Sequence, residues 1–360
     1  MEDFFGKKAQ KYEEKIKKIF SFDFNLLGTY VKEVKELSDI FLKRKISPQY
    51  FSEQKFLRAY SFFYFHQNYY KIIYLLSLLK KAFEKREKIV ALDFGGGPGN
   101  STLALRDFFE FIDTNYKIFY FDKQSPSYEF FRELDSDNRI ERVENYDFRE
   151  KIDLFLFSYT LKEIGGAYKS IISKIMNIAS KNSFIIFADA PDPQVLRSLE
   201  SIRKIGLKEN FKSVFPCPAS GNCPVLKLKK DKEKSCFSQI NWNPPELVQI
   251  INSKLFFRIK YLKFSSLILS NYYEREDYFF SISPYLKEKG RGRVYFCTSD
   301  GRIEVVLMKK SESEKNRVFK EMLRGDMVKI SSYKLSKENL IKLEKDTEVC
   351  FLSSPLKIFS

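Results

Sequence analysis

Histidine and long apolar runs are almost missing from this sequence of 360 residues. The single histidine, His66, argues against a metal site built from both cysteine and histidine. The apolar run at residues 72–79 is too short to span a membrane. Residues 1–6 lack the apolar core of a signal peptide, and their early acids argue against a mitochondrial transit peptide. We therefore expect a cytoplasmic protein that does not bind membranes.

Positive charge is concentrated in the second half of the chain. Residues 201–360 contain 31 Lys and Arg against 18 Asp and Glu, whereas residues 1–200 contain 32 against 29. The two halves therefore contribute +13 and +3 to the formal net charge of +16. A one-sided basic field is typical of a protein that binds a polyanion, and charge that serves only solubility is the alternative.

The sequence pattern divides the chain into four predicted segments. Residues 1–85 show apolar positions at helical spacing, and residues 86–210 alternate between apolar strands and helices. Residues 211–310 contain four cysteines and strand-like pieces, and residues 311–360 form a basic C-terminal region. Strands that alternate with helices predict an α/β fold with a mostly parallel sheet covered on both faces. Around it we expect an N-terminal helical region, a cysteine-rich metal-binding insertion and a small C-terminal β-rich region.

A glycine-rich loop follows the first predicted strand, residues 88–94, and precedes a helix. Glycines let the backbone turn sharply and approach a ligand, and the strand ends of an open α/β sheet are where such ligands bind. The spacing Asp-x-Gly-x-Gly-x-Gly resembles motif I of class I S-adenosylmethionine-dependent methyltransferases with a Rossmann-like fold. The dinucleotide fingerprint fits less well, because it needs a third glycine at Asn100, and a purely structural turn is the other alternative. The candidate cofactor-binding residues are Asp93, Gly95, Gly97 and Gly99.

Two further acids extend this candidate cofactor site. Asp122 ends the next strand, 23 residues beyond Gly99, where a carboxylate can accept hydrogen bonds from both ribose hydroxyls. The resemblance to class I methyltransferases also implies that Asp147 lies in the loop that contacts the adenine. An ordinary exposed acid is the alternative at either position.

Cysteine is scarce, and four of the five cysteines follow the α/β segment. They are Cys217, Cys223, Cys236 and Cys297, at the spacing C-x5-C-x12-C-x60-C. A cytosolic chain keeps its thiols reduced, so metal binding competes with plain burial as their explanation. Zinc usually takes tighter pairs, whereas an iron–sulfur cluster tolerates a distant fourth ligand. The lysines of residues 227–234 would favour thiolates, and Cys350, in an apolar strand-like piece, is interpreted as a buried thiol.

Short motifs around these cysteines carry a closer resemblance. They are Pro216-Cys217-Pro218, Cys223-Pro224, Cys236-Phe237-Ser238-Gln239, Lys263-Phe264-Ser265-Ser266 and Cys297-Thr298-Ser299-Asp300-Gly301-Arg302. In this order, behind the glycine loop and residues 159–164, they resemble the methyltransferase-like protein 17 family over roughly residues 50–310. These are mitochondrial assembly proteins of the small ribosomal subunit and their bacterial relatives. The resemblance implies a [4Fe–4S] cluster on the four cysteines, with zinc as the alternative metal, and binding to small-subunit ribosomal RNA. It also implies the mitochondrial matrix as the location in a eukaryote.

No catalytic residue emerges from the sequence. Methyltransferases of exocyclic amines carry an Asn/Asp-Pro-Pro-Tyr-like motif at the place of residues 158–161, which do not match it. A cytosine-C5 methyltransferase needs a cysteine nucleophile, and this chain has Asp192 at that position. The chain also departs from the family pattern at two places. The family commonly has a histidine directly after the cysteine that corresponds to Cys236, whereas this chain has Phe237 there. Where the family tends to carry a Glu-Pro-Gly run, this chain has Asp-Ala-Pro-Asp-Pro at residues 189–193. The favoured function is an S-adenosylmethionine-binding, monomeric factor that binds the small ribosomal subunit and assists its assembly or translation. An active ribosomal RNA methyltransferase is the alternative.

Overall fold

The computed structural model describes residues 1–43, 50–135, 137–145, 148, 150–218, 221–228, 236–256, 258–273, 277–337 and 339–353. The helices are α1 (Glu2–Ile19), α2 (Leu27–Lys43), α3 (Gln54–Ala59), α4 (Phe65–Ser77), α5 (Lys80–Phe83), α6 (Asn100–Phe111), α7 (Ser125–Leu134), α8 (Leu161–Ile164), α9 (Tyr168–Ile178), α10 (Pro193–Lys208) and α11 (Glu246–Lys254). None of the helices in this described part of the chain is both long and apolar enough to cross a membrane.

The strands are β1 (Lys88–Phe94), β2 (Asn115–Phe121), β3 (Ile140–Arg142), β4 (Ile152–Ser158), β5 (Ala179–Asp189), β6 (Lys212–Phe215), β7 (Ser238–Ile240), β8 (Leu262–Ser270), β9 (Phe279–Ser281), β10 (Leu286–Glu288), β11 (Arg291–Thr298), β12 (Gly301–Met308), β13 (Met327–Ser331), β14 (Lys334–Lys337), β15 (Leu340–Leu343) and β16 (Glu348–Ser353). The chain forms two compact units. The first contains the described residues of 1–180 and 241–262, and the second those of 181–240 and 263–353. The four-segment division with boundaries after residues 85, 210 and 310 stays a prediction.

The first unit contains a parallel sheet in the strand order β3-β2-β1-β4. In β1 every residue after Lys88 is buried, as expected for a strand covered on both faces. This order is that of the first four strands of a Rossmann-like sheet, and it brings the carboxyl ends of β1, β2 and β4 to one edge. The predicted parallel α/β arrangement is confirmed for these strands.

Aromatic side chains of the N-terminal helices pack in the core of the first unit. Asp107 on α6 accepts hydrogen bonds from the hydroxyls of Tyr12 on α1, at 2.6 Å, and Tyr69 on α4, at 2.8 Å. The Arg106 guanidinium lies beside the same carboxylate, with its Nε 3.0 Å from Asp107 Oδ1. A buried charge is tolerated when it is paired and hydrogen-bonded in this way. The tyrosines of α1 and α4 therefore hold the helices together.

Two local predictions in the first unit are wrong. The sequence predicts Asn100 or Ser101 as the N-cap of the helix after the glycine loop. The N-cap of α6 is instead Gly99, with φ +87°, and both predicted caps lie inside the helix. The helix predicted from Glu163 to about Ser180 is two helices, α8 and α9, because the chain turns at Gly165, where φ is +51°. Glycine supplies both positive φ values without steric cost.

Antiparallel strands dominate the second unit. Strand β8 pairs antiparallel with both β5 and β6, and β7 also pairs with β8. A second sheet has the order β14-β15-β12-β11-β9-β13-β16, with β10 beside β11. The sequence predicts a turn at residues 299–301 between two strand-like pieces, and this is confirmed, since β11 and β12 pair directly across Ser299 and Asp300. The core of this sheet is formed by buried apolar residues that include Val294, Phe296, Val305, Phe319, Val328 and Ile341.

Candidate functional site

The glycine loop joins β1 to α6, and its glycines are required for two different reasons. Gly95, Gly97 and Gly99 all have positive φ, at +76°, +50° and +87°. A Cβ on Gly95 would lie 2.3 Å from Thr160 Cγ2, and one on Gly99 would lie 2.2 Å from Phe131 Cδ2. At Gly97 the nearest atom, on the Phe51 ring, would be 3.8 Å away. The outer glycines therefore make room for neighbouring side chains, and Gly97 presents the open surface of the loop.

Asp122 lies directly against this loop. Its Oδ2 accepts a hydrogen bond from the backbone N–H of Gly97 at 2.8 Å, and its Oδ1 accepts one from the backbone N–H of Gln124 at 2.7 Å. Burial raises the pKa of Asp122, and the two N–H donors partly oppose that rise. A carboxylate offers about four acceptor positions, so two bonds leave capacity for a ligand hydroxyl. The structure thus brings the predicted ribose-binding acid to the predicted loop.

Asp93, the last but one residue of β1, is fully buried and faces the start of α6. Its Oδ2 accepts hydrogen bonds from Ser101 Oγ at 2.7 Å and Thr102 Oγ1 at 2.6 Å. Its Oδ1 is buried without a hydrogen-bond partner among the described residues. Burial raises the pKa of Asp93 to about 6, against the two hydroxyl donors that lower it. Asp93 therefore fixes the junction between the loop and α6, although its burial disfavours the ionised carboxylate. Asp147, the other predicted acid, lies outside the described residues.

A chain of polar side chains crosses the first unit from α6 to the end of β4. Tyr60 donates its hydroxyl to Asn100 Oδ1 at 3.0 Å and accepts from Asn68 Nδ2 at 2.8 Å. Lys71 Nζ donates to Asn68 Oδ1 at 3.0 Å and to the Tyr159 hydroxyl at 2.6 Å. Tyr159 has φ +59°, an uncommon value for a bulky residue, and such outliers cluster at functional sites. Sequence reasoning missed this network, whose only local signal is a tyrosine directly after a strand.

Two other polar residues near this network have limited chemistry. Glu163 Oε1 lies 3.4 Å from the Tyr50 hydroxyl, which donates to it. His66, the single histidine, is buried on α4, and burial lowers its pKa to about 3. A neutral, buried imidazole does not act as a general acid at neutral pH.

The predicted cysteine ligands lie in the second unit. Cys217, Cys223 and Cys236 line one small cavity of about 20 Å³, together with Glu200, Arg203, Leu196, Leu199, Pro216 and Ser266. The fourth, Cys297, is buried on β11. Burial raises the pKa of all four thiols, to about 12 for Cys217, and the charges of the neighbouring thiols raise it further for Cys217, Cys236 and Cys297. Among the described residues, no three His, Cys, Asp or Glu side chains form a ready-made metal site.

Three arginines oppose the charges of these thiols. Burial is the larger effect on each thiol pKa, and a nearby guanidinium partly reverses it. Arg203 lowers the pKa of Cys217 and Cys223. Arg302 lowers the pKa of Cys297, and Arg324 lowers the pKa of Cys236. Arg203 is itself buried beside Glu200, which accepts a hydrogen bond from the Cys223 backbone N–H at 3.1 Å. The sequence indicates lysines for this role. Of these only Lys227 is described, and Lys229, Lys230, Lys232 and Lys234 lie outside the described residues.

The fifth cysteine differs from the other four. Cys350 lies on β16 with its side chain exposed, and its Sγ is 3.4 Å from Glu348 Oε1. The predicted strand is present, but the prediction of burial is wrong, because Cys350 alternates with Val349, which faces the core.

Comparison with known proteins decides the family. The sequence profile described as "Mitochondrial small ribosomal subunit Rsm22" matches residues 55–329, a span that includes the glycine loop and all four clustered cysteines. The chain belongs to the Rsm22 family. The predicted resemblance to a methyltransferase-like family of the small ribosomal subunit is thereby confirmed. No curated protein sequence matches the chain.

Solved structures of methyltransferases are similar to this Rsm22-family chain at low identity. A ribosomal RNA methylase from Streptococcus thermophilus shares 15% identity, covering 56% of this chain and 94% of its own, with a TM-score of 0.31. TYW2 of M. jannaschii, in complex with AdoMet, shares 12%, covering 55% and 74%, with a TM-score of 0.31. Precorrin-6y C5,15-methyltransferase from Geobacter metallireducens shares 10%, covering 54% and 87%, with a TM-score of 0.35.

Proposed function

We propose that this protein binds S-adenosylmethionine, holds a [4Fe–4S] cluster and binds small-subunit ribosomal RNA, assisting assembly or translation of the small subunit. The observation that carries this proposal is the match to the Rsm22 family over residues 55–329. That span contains a glycine loop with an adjacent carboxylate in one unit, and four buried or partly buried thiols in the other, three of which line one cavity. We propose this role without catalysis, because the sequence contains no recognised motif for a particular methyl acceptor.

The residues present fit the nucleoside of S-adenosylmethionine. Gly97 would let the ligand approach the loop backbone, and Asp122 would hold the ribose hydroxyls, as carboxylates after the second strand do in Rossmann-like folds. Asp93 Oδ1, which has no hydrogen-bond partner in the described part of the chain, is a buried acceptor at the same junction. When bound, the cofactor supplies an electrophilic methyl group on a sulfonium.

Calorimetry tests this site. The wild-type protein should bind S-adenosylmethionine or S-adenosylhomocysteine, and Gly97→Val should bind neither, because the side chain would occupy the open face of the loop. Gly165→Val is the matched control, since Gly165 has a similar φ of +51° and a Cβ there meets no atom within 4 Å. Absence of wild-type binding to both compounds would make the domain a scaffold without a cofactor.

The four thiols and three arginines fit an anionic metal–sulfur group. Burial raises the pKa of each thiol, and a bound cation would take the place of the thiol protons. The ligand set has no histidine or carboxylate, as in cysteine-bound iron–sulfur clusters. The nearby guanidiniums of Arg203, Arg302 and Arg324 would balance the remaining negative charge.

Cys297 provides the sharpest test of the cluster, because it comes from β11, while the other three thiols lie between residues 217 and 236. Cys297→Ser should lose most of the bound iron and the visible absorption of the protein purified without oxygen, whereas Cys350→Ser should keep both. Full iron loading in Cys297→Ser would contradict the four-ligand assignment. Stoichiometric zinc without sulfide in the wild type would replace the cluster with a zinc site.

Basic residues of the second unit support RNA binding. A groove of about 640 Å³ is lined by Lys287, Lys289, Arg291, Lys309 and Lys320. The acids among its described lining residues are Glu288, which pairs with Arg291, and Glu312, which pairs with Lys320. Lys287, Lys289 and Lys309 are exposed. Lysines that contact phosphates release counterions, so affinity for RNA should fall steeply with salt. This accords with the net charge of +13 in residues 201–360.

Catalysis is a second candidate function, favoured by Tyr159. Its strained backbone and its hydroxyl, held by Lys71 at the carboxyl end of β4, are suited to contact a methyl acceptor. Transfer of labelled methyl from S-adenosylmethionine to small-subunit ribosomal RNA is the test. Incorporation by the wild type would establish the activity, and its loss in Tyr159→Phe would assign a role in it to Tyr159. No incorporation by the wild type would leave assembly or translation as the one proposed role.

A further inference from the structure

A pocket of about 350 Å³ opens on the second unit and shares no lining residue with the basic groove. It is lined by Phe237, Gln239, Pro284, Leu323 and Arg324. Its volume lies in the range of sites that hold small organic molecules. The lining combines one aromatic ring, one amide and one guanidinium with two apolar side chains, and it contains no carboxylate among the described residues.

The wall that carries Arg324 is fixed by a hydrogen-bonded turn. The Leu323 N–H donates to Asp326 Oδ2 at 2.7 Å, and the Asp326 N–H donates to Ser281 Oγ at 2.8 Å. Gly325 has φ +99°, and a Cβ there would lie 2.9 Å from Ser238 Cα. Only glycine allows this close approach of the turn to β7. Arg324 is thereby held beside the strand that carries Gln239 and follows Phe237.

The chemistry of the pocket is that of nucleobase recognition. The Arg324 guanidinium carbon lies 4.5 Å from the centre of the Phe237 ring, and Lys263 Nζ lies 5.7 Å from it. Aromatic rings and guanidinium planes stack on unpaired bases, and an amide such as that of Gln239 both donates to and accepts from a base edge. Lys263 is exposed, where it can meet a phosphate of the same strand.

We propose that this Phe237 pocket receives one unpaired nucleobase of single-stranded RNA. Gln239 contacts the base edge, Phe237 and Arg324 provide the stacking surface, and Lys263 binds an adjoining phosphate. The inference rests on the RNA binding proposed above and names its form, an unpaired segment instead of a duplex. A paired base cannot enter such a pocket, because its edge and both faces are already occupied in the helix.

Fluorescence anisotropy on the full-length, cluster-containing protein tests the pocket. The probes are a labelled single-stranded oligoribonucleotide and the same sequence paired in a duplex. Phe237→Leu and Gln239→Ala should each weaken single-strand binding about 10-fold, since stacking and edge contacts contribute on that order. Because both removed groups are uncharged, the slope of log affinity against log salt should stay unchanged. Lys263→Gln should reduce that slope by about one phosphate contact.

Controls separate failure of the pocket from failure of RNA binding itself. Tyr272→Leu removes a partly exposed aromatic ring outside the pocket and should bind like the wild type. Phe237 is next to Cys236, so the iron content of each variant must match that of the wild type. If Phe237→Leu loses iron, the Gln239→Ala variant alone tests the pocket. Equal binding by Gln239→Ala and the wild type would overturn the pocket and leave the proposed function standing. No wild-type binding to any RNA would overturn the proposed function. Full competition by AMP, with no gain from oligonucleotide length, would assign the pocket to a free nucleotide instead.

Discussion

Replacing Asp93 with asparagine should change how the stability of the first unit depends on pH. Asp93 is fully buried, and its pKa is raised to about 6, mainly by burial. The ordinary value is 3.8, so between these two pH values the folded state binds a proton that the unfolded state has released. Stability therefore falls as pH rises through this window, and it levels off once the pH is well above the folded pKa. An asparagine side chain does not ionise, so Asp93→Asn removes this contribution to the pH dependence.

The magnitude follows from the size of the pKa shift. A rise from 3.8 to about 6 corresponds to roughly 3 kcal/mol of lost stability once Asp93 is fully ionised, at 1.36 kcal/mol per pKa unit. About 1.3 kcal/mol of this loss falls between pH 5 and pH 7, where the protein can be studied conveniently. Stability of the wild type relative to Asp93→Asn should therefore decline by that amount over this interval.

Urea unfolding followed by tryptophan fluorescence measures the effect. The single tryptophan, Trp242, is buried in the first unit against Tyr70, so its emission reports the unit that contains Asp93. Asp113→Asn, which changes an exposed carboxylate just after α6, serves as the control and should follow the wild type. A difference between wild type and Asp93→Asn that stays constant from pH 5 to pH 7 would refute the reasoning, as would one that changes in the opposite direction.

Two further predictions concern the glycine loop and the basic groove. Gly99→Ala should lower the unfolding free energy of the first unit by about 3 kcal/mol, from strain at positive φ and the clash with Phe131, while Gly166→Ala should change it by less than about 1 kcal/mol in urea titrations. Replacing three exposed groove lysines with glutamine should reduce the salt slope of single-stranded RNA binding by about two, and an unchanged slope would place the RNA elsewhere. These lysines are Lys287, Lys289 and Lys309.

The sequence predicts most reliably where the signal is local. Strand β1 is a continuous apolar run that ends in glycines, and its predicted bounds, residues 88–94, are those of the structure. The hairpin of β11 and β12 follows from apolar strands around Asp300 and Gly301. Strands β13 to β15 are not predicted individually, because they are short and interrupted by lysines. The parallel pairing of β12 with β15 joins segments distant in the chain, which local periodicity does not report.

The candidate sites show the same limit. The glycine loop and Asp122 can be predicted because their spacing follows one strand–helix–strand unit. Arg203 and Arg324 cannot, since each lies far along the chain from its cysteine and only the fold brings the two together. Arg302 differs, because it pairs directly with Cys297 across the hairpin of β11 and β12. Gly99 is predicted as a ligand-approach residue, and the structure adds that Phe131 occupies the space of its missing Cβ.

Ultraviolet crosslinking in the cells that produce this protein, followed by sequencing of the recovered RNA, tests the central claim most directly. The account predicts that small-subunit ribosomal RNA is enriched strongly over large-subunit RNA, with crosslinks confined to unpaired segments. Cys297→Ser should lose much of this enrichment, while Cys350→Ser should retain it. Equal recovery of both ribosomal RNAs by the wild type, or enrichment of neither, would contradict the assignment to the small subunit.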